Sequence, residues 1–207
     1  MPVGPEAPLG DEIALRRFSF ESDGAWAAEL LEVTLAGRMQ ARRSELMDPL
    51  AGDGLVADLR DRGPIGLVTW VVGGSLSRAG EAELRILAVD SDQRRRGVGG
   101  ALLDEALRVL ARSGVQRVWL VTTNDNLDAL GFYQRRGWRL AELHAGAVDD
   151  ARRTLKPSIG LVGAKGIPIR DEIVLSIGLR GRADPSSPQL RVHPTGLEPH
   201  SRRPSVV

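Results

Sequence analysis

The sequence of 207 residues contains no cysteine, which excludes disulfides, thiolate metal sites and cysteine nucleophiles. Its three histidines, His144, His193 and His200, are scattered, so no metal site is expected. Charge is almost balanced at +1, which argues against a global attraction to nucleic acid or to a membrane surface. No stretch approaches the roughly 18 apolar residues that a membrane span requires. The first twelve residues lack a basic segment followed by an apolar core and do not read as a secretory signal. The default expectation is a cytoplasmic protein. Tyrosine is scarcest among the residues present: Tyr133 stands alone.

A hydrophobic fraction of 42% and a charged fraction of 27% are ordinary for one globular domain of this length. Three prolines and two glycines loosen residues 1–11, which read as a flexible arm. Residues 181–207 are rich in Pro, Ser and Arg and poor in large apolar side chains. They cannot offset their ordering entropy by burial and are expected to lack order. The domain itself is expected over 12–180.

Within it, Ile13 to Phe18 alternates as a strand, and Ser22 or Asp23 is placed to cap a helix through Trp26, Leu30 and Leu35. Residues 38–54 are mixed and read as a short helix or irregular lid. Leu55–Arg60 and Ile65–Val72 flank Asp61-Arg62-Gly63-Pro64, a hairpin signature, and a third strand covers Glu81–Val89. A strand over Gln116–Thr122, a short helix through Leu127, Leu130 and Tyr133, and strands over Trp138–Leu143 and Glu172–Leu179 complete the order. Residues 144–170 read as polar and turn-rich. A helix between the strand at 81–89 and that at 116–122 implies a parallel βαβ unit. The fold class expected is α+β, a mixed, mostly antiparallel central sheet flanked by helices.

The most informative stretch is 86–103. A strand ends at Val89, a basic loop carries Arg94, Arg95 and Arg96, and Gly97, Val98, Gly99 and Gly100 open a helix with apolar residues at Leu102, Leu103, Ala106, Leu107 and Leu110. A helix start offers unpaired N–H groups and the positive end of the macrodipole, and glycine lets an anion approach the backbone. This is a phosphate-binding turn. It is neither a P-loop, lacking G-x-x-x-x-G-K-[S/T], nor a complete G-x-G-x-x-G.

Arg94-Arg95-Arg96-Gly97-Val98-Gly99 resembles the Q/R-x-x-G-x-G/A motif of the GNAT N-acetyltransferase superfamily. Asn126-Leu-Asp-Ala129-Leu-Gly-Phe132-Tyr133-Gln-Arg-Arg-Gly137-Trp138 resembles its second signature, with Trp138 in place of the usual phenylalanine. The endings Lys156-Pro-Ser-Ile159 and Ile167-Pro-Ile-Arg-Asp-Glu-Ile173 are similar to those of uncharacterised bacterial members. The resemblance covers roughly residues 12–180. It implies acetyl-CoA as acyl donor, an amine acceptor, and direct attack of the amine on the thioester, with no metal.

Acyl transfer to an amine needs a deprotonated amine, a polarised carbonyl and a proton for the departing thiolate. By resemblance, Tyr133 is the general acid, and a phenol of pKa about 10 suits a thiolate. Glu83 lies eleven residues before Arg94, where some members place a base; a solvated strand face, a water chain or an amine that arrives neutral are the alternatives. Strand period puts Glu81, Glu83 and Arg85 on one face and Leu84, Ile86 and Ala88 on the other. The resemblance further implies that the backbone of Leu87, Ala88 and Val89 meets the pantetheine arm. The amides of 95–100 would hold the pyrophosphate, and Asn126 would reach the arm besides capping its helix. Glu81, Glu83 and Asp171 hint at a cationic acceptor. His144 reads as structural. The other readings are a non-catalytic acyl-CoA-binding domain and an interaction module; a monomer or homodimer fits all three.

Overall fold

The computed structural model describes residues 12–35 and 37–179, together with the backbone of 191–193; the arm at 1–11 and the rest of the tail lie outside the described residues. The elements run β1 (Ile13–Arg17), α1 (Phe20–Leu35), β2 (Gln40–Arg42), β3 (Glu45–Met47), β4 (Asp53–Leu59), β5 (Gly63–Val72), β6 (Glu81–Val89), α2 (Val98–Arg112), β7 (Arg117–Thr123), α3 (Leu127–Arg135), β8 (Arg139–His144), α4 (Ala147–Thr154), β9 (Glu172–Gly178) and β10 (Arg191–His193). Eight strands form one sheet in the order β1-β4-β5-β6-β7-β9-β8-β10, with β2 and β3 paired apart. Among the described residues only the β6–β7 and β8–β10 ladders are parallel; the expected mixed sheet and its βαβ unit are both present.

Helices cover both faces. Leu102, Leu103, Ala106 and Leu110 of α2 are fully buried against Ala57, Val68, Leu84 and Val118 of the sheet. On the opposite face Ala27, Leu30 and Leu31 of α1 meet Val56, Leu67 and Ala88. These apolar stripes recur at helical and strand spacing, and their burial drives the three-layer assembly.

Four local expectations are corrected. Helix α1 starts at Phe20, so neither Ser22 nor Asp23 is its cap; the Asp23 carboxylate instead accepts from Ser19 N–H at 2.9 Å and from Arg16 at 2.8 Å. Residues 40–47 form a hairpin, not a helix or lid, because Arg43 and Ser44 adopt φ of 48° and 62°, the pair of positive values that a two-residue reversal demands. The stretch 144–170 contains α4, launched from Gly146 at φ 74° and stitched by Arg152–Asp149 and Arg153–Asp150 pairs one turn apart. Within the tail, Arg191–His193 pairs with β8 from Glu142 to His144, since an open strand edge offers backbone hydrogen bonds to a passing segment.

A candidate acyl-donor cleft where two parallel strands part

Strands β6 and β7 pair over only three positions, Glu81–Arg117, Ala82–Val118 and Glu83–Trp119. Beyond Glu83 they diverge. The cause lies on the other flank of β6: Leu84 pairs with Trp70 and Ile86 with Thr69, which leaves Arg85 without a partner, a bulge that bends the strand. The bulge also corrects the expected alternation, for Leu84 packs beneath α2 whereas Ile86 packs beneath α1. Leu87, Ala88 and Val89 therefore face the opening with backbone groups that β7 does not engage.

The opening continues into a cleft of about 1920 Å³. At one end stands the basic turn. Arg95 and Gly97 are left-handed, with φ of 63° and 81°, and Gly97 is the residue before α2. Glycine reaches that conformation without strain, whereas a Cβ there costs on the order of 1 kcal/mol. The first intrahelical bond runs from Ala101 N–H to Gly97 C=O at 3.0 Å. The N–H groups of Val98, Gly99 and Gly100 thus precede the helical ladder. No side chain caps them, and Gly97, Gly99, Gly100, Arg94 and Arg95 all line the cleft. The set of unpaired donors, helix N-terminus and guanidinium groups suits a pyrophosphate. The side chains of Arg96 and Val98 point elsewhere: Arg96 donates to the Gln93 side chain at 2.6 Å, and Val98, the first residue of α2, is buried in the core.

Helix α3 forms the facing wall. The Asn126 side chain accepts from Ala129 N–H at 3.2 Å and so caps the helix, while also lining the cleft. Tyr133 sits on the same wall with its ring buried between Phe132 and Trp138, centroids 5.1 and 5.2 Å away. Burial pushes its phenol well above the usual value, and the opposing pull of Arg136 is smaller. The hydroxyl therefore keeps its proton at any physiological pH. Arg135 and Arg136 also line this wall. They fall within the second motif, yet its pattern leaves their positions unspecified.

Glu83 is placed otherwise. It is buried, bonded to Arg42 of the β2–β3 hairpin at 2.5 Å with Arg85 at 3.6 Å, and is not among the residues lining the cleft. Burial raises its carboxyl above the carboxylate range and lowers the Arg42 guanidinium below its own, so desolvation outweighs the attraction between them. Glu81 pairs with Arg117 at 2.9 Å, and Asp171 accepts from Gly146 N–H at 2.8 Å. Neither lines the cleft. Glu172 accepts two bonds from Arg43 N–H, and His144 meets Glu142 at 3.0 Å. Among the described residues no cluster of ligating side chains could hold a metal, and no helix is long and apolar enough to cross a membrane.

The other end of the cleft is built by α4, which the sequence did not announce, and by the connection 155–171 that follows it. That connection is tied to the β7–α3 corner, where Asn124 donates to Pro168 C=O and accepts from Arg170 and Asp171 N–H at 2.9–3.0 Å.

A sequence profile of the acetyltransferase (GNAT) family matches residues 21–138, more than half of the chain. The uncharacterized protein YxbD of Bacillus subtilis is 39% identical over 128 residues, 62% of this chain and 74% of that one. A mycothiol acetyltransferase of Clavibacter michiganensis is 31% identical over 141 residues, 65% of this chain and 45% of that protein. Among solved structures, a GNAT family acetyltransferase from Elizabethkingia anophelis with acetyl-CoA bound superposes with a TM-score of 0.59 at 17% identity, covering 81% of this chain and 99% of that one. An IAA acetyltransferase from Bacillus cereus gives the same TM-score at 19% identity, covering 80% and 99%. The splayed strands, the glycine turn and these likenesses agree: the chain belongs to the acetyltransferase (GNAT) family.

Proposed function

We propose that this protein is an acetyl-CoA-dependent N-acetyltransferase, acting as a single domain over residues 12–180 and drawing on the cytoplasmic acetyl-CoA pool as a monomer or homodimer. The observation that carries the reading is the convergence on one cleft of an unpaired β6 edge, an uncapped helix N-terminus behind Gly97 and the chain's only tyrosine. Acetyl-CoA supplies an activated acetyl group as a thioester. The N–H groups of 98–100, with Arg94 and Arg95, bind its pyrophosphate, and the β6 edge at Leu87 to Val89, which no strand covers, aligns the pantetheine arm and polarises the acyl carbonyl. Tyr133 holds a proton for the leaving sulfur.

Deprotonation of the amine is assigned to the cleft environment, not to direct contact with Glu83. An amine entering an apolar, cation-bearing site loses its proton more readily, whereas Glu83 is occupied by Arg42 away from the cleft wall. The non-catalytic acyl-CoA-binding alternative lacks a use for a buried tyrosine on the cleft wall.

The test is Tyr133→Phe. Turnover should fall by about a hundredfold or more, with acetyl-CoA affinity retained within twofold. In wild type, no loss of turnover attributable to Tyr133 should occur as pH rises from 7 to about 10, since the phenol is displaced above its ordinary value. Undiminished turnover in the variant would remove Tyr133 from the chemistry.

A further inference from the structure

The end of the cleft away from the glycine turn is defined by α1, β2, α4 and the connection after α4. Its surface is mostly apolar, with Val148 and Ala151 of α4 and Ile159 and Ile169 beyond it. Gln40 is committed, its side-chain amide donating to Gly37 C=O at 2.5 Å. Charge is sparse. Arg94, Arg95, Asp104, Arg135 and Arg136 belong to the glycine-turn end; at the α3 corner Lys165 is neutralised by Asp128 at 2.8 Å, and Asp125 accepts from Thr123 Oγ1 at 2.5 Å. Among the described residues lining the far end, Lys156 is the one charged side chain.

Lys156 bridges the mouth of this limb. Its Nζ donates to Met39 C=O at 2.8 Å across the gap to the α1–β2 connection, which leaves two further ammonium hydrogens. Partial burial lowers its pKa, and the nearest opposing charge is Glu32 on the exposed side of α1. A half-buried ammonium beside apolar walls gains most from an anion delivered by a ligand. The carboxylates that the sequence offered to a cationic acceptor are spent, Glu81 on Arg117, Glu83 on Arg42 and Asp171 on a backbone N–H, and Asp125, which does line the cleft, accepts from Thr123 Oγ1.

We propose that the acceptor is a compact amine with an apolar body and a carboxylate of its own, the carboxylate held by Lys156 and the body by Val148, Ala151, Ile159 and Ile169. This rests on the acetyltransferase reading and assigns its acceptor class. It replaces the cationic amine that Glu81, Glu83 and Asp171 suggested in the sequence. The same arrangement explains how the nucleophile forms without a protein carboxylate in contact, because apolar walls favour the neutral amine. The amine nitrogen then bonds to the acetyl carbon, the carbon–sulfur bond breaks with its electron pair on sulfur, the sulfur takes the Tyr133 proton, and the amine's surplus proton leaves to solvent, from which Tyr133 is reprotonated.

The experiment compares leucine, methionine and phenylalanine with their decarboxylated amines, their amides and spermidine. Each is titrated into the acetyl-CoA-loaded protein and assayed for acetyl transfer, in wild type, Lys156→Met and Lys156→Arg. Carboxylate-bearing amines should bind and react best. Lys156→Met should raise their KM by about tenfold or more while leaving acetyl-CoA affinity and the KM of the decarboxylated amines unchanged, and Lys156→Arg should restore part of the loss. Preference for spermidine or the decarboxylated amines, an equal effect of Lys156→Met on both series, or failure of every carboxylate-bearing amine to bind the loaded protein would overturn the inference and leave the transferase reading standing. Failure of acetyl-CoA itself to bind would instead remove that reading.

Discussion

Arg42 and Glu83 show how much a single pair of residues can decide. Both are buried, at 7% and 2% exposure, and the Glu83 Oε1 and the Arg42 Nε and Nη1 atoms have no hydrogen-bond partner within the protein. Such a pair adds little net stability, yet breaking it leaves an uncompensated buried charge. Arg42→Ala should therefore destabilise the fold by about 3 kcal/mol, read by urea unfolding. Adding Glu83→Gln should recover much of that loss, because the stranded charge is removed. If Arg42→Ala alone unfolds at the wild-type midpoint, the pair does not hold the β2–β3 hairpin. The identity of Glu83 as an acid on β6 was legible in the sequence; its partner was not. Nothing in the residues 38–54 announces that a three-residue strand will deliver an arginine 41 positions away.

At the scale of elements, the sequence was most legible where period and punctuation agree. The hairpin over β4 and β5, the strand Glu81–Val89 and the amphipathic α2 all follow from alternation or helical spacing bounded by turn residues. The turn before α2 was legible because glycine at 97 answers a local backbone need. The bulge at Arg85 was not, since an extra residue within a strand leaves no compositional mark. Helix α4 was hidden for another reason: only Val148 and Ala151 of its eight residues are buried, too few for a periodic signal. The connection after α4 is where an element-scale prediction belongs. A Cβ on Gly163 would run into the Asp125 side chain, which is fixed by Thr123 Oγ1 at 2.5 Å. Gly163→Ala should push this connection away from α3 and weaken acceptor binding several-fold, with acetyl-CoA binding little altered; steady-state KM for acceptor against calorimetric affinity for acetyl-CoA separates the two. Equal effects on both ligands would mean that the connection also contacts the donor.

Across the whole molecule, the sheet divides the labour. Strands β1, β4 and β5 with α1 and α2 make a rigid frame, and the bend in β6 opens a gap toward β7 that neither neighbour fills. The proposed donor contacts lie in one half of the gap, at the β6 edge, the α2 start and the α3 wall, where the two motifs could be read. The proposed acceptor contacts lie in the other half, where α1, β2 and α4 meet. This asymmetry is physical. A pyrophosphate imposes the same demand on any backbone that binds it, whereas an acceptor pocket is set by which side chains happen to converge.

In the proposed function, the Gly97 turn and the parted strands bind acetyl-CoA. Calorimetric titration of the wild-type protein and of a Gly97→Glu, Gly99→Glu variant, with circular dichroism to verify that both are folded, tests it most directly. We predict saturable one-to-one binding to the wild type and its loss in the variant, whose carboxylates would occupy and oppose the phosphate position. A folded wild-type protein that does not bind acetyl-CoA, or a folded variant that binds it equally well, would contradict the account.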